Sequence, residues 1–109
     1  MINHETYVKV VTHNVEKILK ADLKDLEIIK SVHLATVRNM NKRLNDTEHP
    51  LSVDLVPVYI LNRDLSKELG KITRKCINVL NGTKNYDHVL DQKALNKLWD
   101  DYWRRTHYE

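Results

Sequence analysis

The sequence predicts a single all-α domain of four main helices over residues 1–109, and three observations carry that prediction. The 109 residues include only two glycines and two prolines, too few for a many-turned β-sandwich. Apolar residues recur every three or four positions over long stretches, the period of a helix buried on one side. The breaks between those stretches fall at asparagine, aspartate and glycine, residues that start and stop helices. A chain of this length closes one hydrophobic core without disulfide or metal staples.

Between His4 and Lys20, the residues Tyr7, Val8, Val11, Val15, Ile18 and Leu19 share one arc, with Glu5, Lys9, Thr12, Glu16 and Lys20 opposite. Asn3 is the expected N-cap. β-Branched residues also allow a strand over residues 7–11, but alternation fails at Val10–Val11 while the helical period continues to Leu19. Asp22 caps a second helix, expected over residues 23–44, whose apolar face is Leu26, Ile29, Val32, Val37, Met40 and Leu44. His33 falls in the middle of that face and reads as a core histidine.

Asn45 to Pro50 is a loop by composition, and two readings compete for Leu51 to Leu61. Val53, Val56, Val58, Tyr59 and Ile60 favour a strand, which paired with residues 7–11 would make the domain α+β, with Pro57 at an edge or bulge. Leu51, Leu55, Val58, Leu61, Leu65, Leu69, Ile72, Cys76 and Val79 instead continue one helical stripe, with Pro57 acceptable in a first turn. The expected third helix covers residues 57–81, with 51–56 extended or joined to it, and Asn81–Gly82 is its stop. Asp91 opens a last helix, residues 91–106, with Leu95, Leu98, Trp99 and Tyr102 inward. Asp100 with Arg104 and Asp101 with Arg105 stand at the i to i+4 spacing of surface ion pairs.

Several function classes find no support. The N-terminus lacks the charged and apolar regions of a secretory signal, and the lone Cys76 precludes an internal disulfide, so a reducing cytoplasm is expected. The apolar run Leu55 to Leu61 falls short of the roughly 20 residues that span a bilayer, so no membrane association is expected. The six histidines offer no i to i+4 pair for a metal, and the two glycines, twelve residues apart, make no phosphate loop. Cys76 lies on the apolar stripe as a small hydrophobe. Asp87, Asp91, Asp100 and Asp101 have surface-type neighbours that would not raise a carboxyl pKa for acid catalysis. A non-enzymatic protein without cofactor, metal or small-molecule substrate is the expectation.

The charge is unevenly placed. Residues 1–61 carry eight bases and eight acids and residues 83–109 five of each, so the net +3 sits in residues 62–82, where Arg63, Lys67, Lys71, Arg74 and Lys75 face only Asp64 and Glu68. A local basic surface on an otherwise neutral small protein is the footprint of a polyanion or acidic-partner site. Within it, Leu65–Gly70, then Thr73–Cys76 and Leu80–Asn81–Gly82, resemble the helix-turn-helix of small phage-type and bacterial repressors. There a first helix ends at a glycine, an apolar residue six positions later locks the second, and Leu-Asn-Gly closes it. Lys71 departs from that pattern, which has an apolar residue after the glycine. The resemblance implies a recognition helix bearing Thr73, Arg74, Lys75 and Asn78, with Arg and Asn suited to base edges and Lys to phosphate. The other reading is one uninterrupted helix, on which Arg63, Lys67, Lys71 and Arg74 still form a phosphate-binding stripe.

A second candidate is the C-terminal cluster Trp99, Trp103, Arg104 and Arg105, residue types enriched at interface hot spots. Trp99 and Tyr102 could instead complete the core, leaving Trp103 at its edge. The expected function is a small regulator that binds nucleic acid through residues 63–78, in keeping with a phage or mobile-element protein. The alternative is a protein-binding helical module, of inhibitor or immunity type, or a homodimer, acting through the C-terminal cluster.

Overall fold

The computed structural model describes residues 2–82 and 89–107, and in them the chain forms four helices: α1 (His4–Lys20), α2 (Leu23–Leu44), α3 (Val56–Leu80) and α4 (Gln92–Thr106). The caps are local and explain the boundaries. Asn3 Oδ1 accepts from the Thr6 amide at 2.8 Å, Asp22 Oδ1 from Asp25 at 2.8 Å and Asp91 Oδ1 from Ala94 at 3.0 Å. Each satisfies an amide that the first helical turn leaves without a partner. At the far end of α3 the Asn81 amide donates to Ile77 O and the Gly82 amide to Val79 O. Gly82 has φ +79, a left-handed conformation that glycine adopts without strain.

The strand alternative is not realised. Residues 7–11 lie within α1 and residues 56–60 within α3, while 53–55 form a turn closed by the Leu55 amide on Ser52 O at 3.0 Å. Pro57 sits in the first turn of α3, where its missing N–H breaks no helical hydrogen bond. In the preceding loop, Asp46 Oδ1 accepts from the Glu48 and His49 amides, both at 3.0 Å, and the Arg43 guanidinium donates to His49 O.

α3 is about 37 Å long by helical rise and touches all three other helices. On one side its Leu61, Leu65, Leu69, Ile72 and Cys76 close the core with Tyr7, Val11, Val15 and Ile18 of α1 and Leu95, Trp99 and Tyr102 of α4. The Tyr7 hydroxyl donates to Leu95 O at 2.6 Å, tying α1 to α4. Burial, and then the nearby Glu68 carboxylate, push the Tyr7 phenol up to about 12. Trp99 packs between the rings of Tyr7 and Tyr102, at centroid distances of 5.4 and 5.3 Å.

α2 packs antiparallel to α3: its Asn41 accepts from Arg63, near the start of α3, and its His33 approaches Gly70, midway along it. Here the structure corrects the expected inner face. Of the six apolar residues assigned to it only Leu26 is buried; Ile29, Val37, Met40 and Leu44 are half-buried, and Val32 is exposed. One neighbouring helix covers only a narrow stripe of α2, whereas α3 lies between neighbours on both sides. The molecule is accordingly long and thin, 47 × 29 × 18 Å.

Candidate nucleic-acid interface

Residues 62–80 are one continuous stretch of α3, so the turn that the repressor resemblance implies at Gly70 is not formed. A Cβ at Gly70 would meet His33 Cβ at 3.8 Å, ordinary contact, so neither a backbone break nor a close helix crossing demands glycine there. The continuous helix sorts the sequence-assigned residues by direction. Lys67, Lys71 and Arg74 are exposed and recur about once per turn along one edge of the α2–α3 contact. Arg63 is half-buried and held back: Nε donates to Asp64 at 3.0 Å and Nη1 to Asn41 at 3.3 Å. Thr73 cannot serve as a recognition residue, because it is 0% exposed and its hydroxyl donates to Leu69 O at 2.7 Å. Lys75 and Asn78 are half-buried and lie outside the groove that the other three bases border.

That groove runs between α2 and α3. Lys30, His33, Leu34 and Val37 line it from α2, and Ser66, Lys67, Gly70, Lys71 and Arg74 from α3. Its lining contains four permanent cations and no carboxylate, and Glu68, outside the lining, has its carboxylate 3.9 Å from Lys71 Nζ. The lining surface is mostly apolar, and Gly70 and Ser66 add little bulk to fill it. Burial, and secondarily the charge of Lys17 on α1, lower the His33 pKa, so the imidazole favours its neutral form. Lys30 was missed in the sequence because only the antiparallel register of α2 on α3 carries it to Arg74. The expected core histidine is instead a half-buried side chain on the groove wall.

The C-terminal cluster divides. Trp99 is buried in the core, and Tyr102 is 1% exposed with its hydroxyl oxygen accepting from the Ile2 amide at 3.3 Å. Trp103 is 50% exposed and stacks on His107, ring centroids 3.5 Å apart. Arg104 and Arg105 are exposed. The expected ion pairs shift in register, since Asp101 takes both Arg104, at 3.3 Å, and Lys97, at 3.1 Å. The Lys97 hydrogen bond, with the added charge of Lys97, Arg104 and Arg105, lowers the Asp101 pKa. Trp103 thus remains the surface aromatic of the cluster, and Trp99 leaves the candidate interface because its ring fills the space between α1 and α4.

Among the described residues no three His, Cys, Asp or Glu side chains converge on one point as a metal site requires; Asp87 and His88 lie outside the described residues. No helix among them is long and apolar enough to cross a membrane. Compared with known protein families, curated proteins and solved structures, the chain matches none.

Proposed function

We propose that the protein is a small non-enzymatic regulator that binds nucleic acid along the groove between α2 and α3. The observation carrying this reading is that Lys30, Lys67, Lys71 and Arg74 converge from two helices on one groove whose lining has no acid. Cations so arranged neutralise phosphates and release the counterions condensed on them, which needs no turn at Gly70. The mostly apolar lining offers a surface to sugar and base edges beside the phosphates. The reading places the protein in the cytoplasm, and its size and basic segment suit a phage or mobile-element regulator.

The test is a fluorescence anisotropy titration with mixed-sequence duplex DNA at about 50 mM salt and upward. The parent should bind. Replacing both Lys67 and Arg74 by alanine should weaken binding and lower the slope of log affinity against log salt by about 2, with the circular dichroism spectrum unchanged. No binding by the parent at low salt overturns the reading. It would favour a protein-binding module acting through Trp103, Arg104 and Arg105, for which the half-exposed Trp103 ring speaks.

A further inference from the structure

A second concave surface, a cleft of about 560 Å³, lies between α1 and α4 and falls within the size range of small-molecule sites. It shares no residue with the basic groove. Val11 and Leu95 line it beside the ring of Trp99, and Val8 and Leu90, large and apolar, remain 44% and 43% exposed there. A ligand with an apolar body would take that surface out of water.

Charge selects the ligand. The lining contains two carboxylates, Glu16 and Asp100, and no lysine or arginine, in a chain whose net charge is +3. The basic residues of α1 and α4 all lie outside it, and Lys9, Lys97 and Arg104 are paired with Glu5 and Asp101. Glu16 and Asp100 are exposed and have no ion-pair partner among the described residues. The two acids also stand apart. The Ile2 amide meets the Tyr102 hydroxyl while Tyr7 meets Leu95 O, so α1 and α4 run antiparallel. His4, whose ring lies 5.2 Å from that of Trp99, therefore marks the Asp100 end of the cleft. Glu16 lies about 18 Å farther along α1 by helical rise. Carboxylates so placed do not converge on a metal ion, and they repel an anion. We propose that this cleft binds a small organic dication, its apolar body on Val8, Val11, Leu90 and Leu95 and its two positive ends at Asp100 and Glu16.

The experiment is a titration of the full chain carrying Trp103→Phe, which leaves Trp99 as its one tryptophan, read by Trp99 fluorescence. The probe is a decane chain bearing an ammonium group at each end, at mildly alkaline pH where histidine is neutral. The change should saturate. Asp100→Asn and Glu16→Gln should each weaken binding several-fold with an unchanged circular dichroism spectrum, since both side chains are in water and hold no other helix. Decylamine, with one charge, should bind more weakly than the diamine, and decanoate should not bind. No saturable change with the diamine, equal binding of decanoate, or an undiminished affinity in the chain lacking both carboxylates overturns the proposal. Equal binding of decylamine overturns its two-ended form. Neither carboxylate lines the basic groove, so DNA titration of the same variants keeps this result separate from the nucleic-acid reading.

Discussion

The two sides of α3 differ in kind. Toward α1 and α4 it presents Leu61, Leu65, Ile72 and Cys76 to a dry core closed by Tyr7, Trp99 and Tyr102. Toward α2 it presents Ser66 and Gly70, small residues flanked by lysine and arginine, to a helix that buries one side chain of its own. The stripe on α3 is equally regular on both sides, so periodicity does not make the difference. Side-chain size and the number of covering helices do. Large apolar groups bring two helices onto one side, while small and charged groups admit a single helix and leave an open groove beside it.

The largest effect that bears on this comparison is in the core. Leu69→Ala, which empties a site 2% exposed, should cost about 2 to 5 kcal/mol, enough to unfold a marginal domain. Ile29→Ala on half-buried α2 should cost roughly 1 kcal/mol, because much of that side chain is never removed from water. Denaturant titration of both variants measures the ratio, and equal losses would abolish the distinction between the two sides.

A smaller effect of opposite sign is expected at Gly70. It lies inside a helix, its φ is not positive, and an added methyl meets His33 only at 3.8 Å. Gly70→Ala should therefore raise stability by roughly 0.5 to 1 kcal/mol, seen as a higher melting temperature. A loss instead would mean that α2 and α3 depend on closer approach at the groove floor than the structure shows.

The smallest effect concerns protons. His33 faces Lys17 of α1, Lys30 of α2, and Lys67, Lys71 and Arg74 of α3, and its pKa is lowered. The unfolded chain therefore takes up this proton at a higher pH than the folded one. Its contribution to stability is complete above the ordinary histidine value near 6.5 and declines as pH falls through the lowered one. A polyanion in the groove acts the other way by favouring the imidazolium. DNA affinity should rise on acidification below about pH 6.5, by less than about tenfold, and His33→Gln should flatten that dependence in anisotropy titrations.

The helices were legible because their ends are written locally. Asn3, Asp22, Asp91 and Gly82 each act within four residues of themselves, and the observed boundaries fall within one residue of those expected. Pro57 was ambiguous until α3 placed it in a first turn. What the sequence could not display is what depends on neighbours. Val32 belongs to the apolar side of α2 by spacing, yet no helix arrives to cover it. Thr73 is polar and lies between Lys71 and Arg74, yet it is fully buried and its hydroxyl turns to its own backbone. Lys30 stands over forty residues from Arg74 along the chain, and only the hairpin register unites them. Trp99 and Trp103 are one helical turn apart, and which of them is covered depends on where α1 lies across α4.

α2 buries Leu26 near its first turn, while the rest of its length is held by half-buried contacts and by the Arg63–Asn41 hydrogen bond. Raising its distal part from α3 would widen the groove without opening the core, so the free energy of that movement is a fraction of the global one. On the proposed reading, the α2 wall of the groove is the more compliant of the two. If polyanions bind there as proposed, such a surface would accept ligands of different width and discriminate poorly among them.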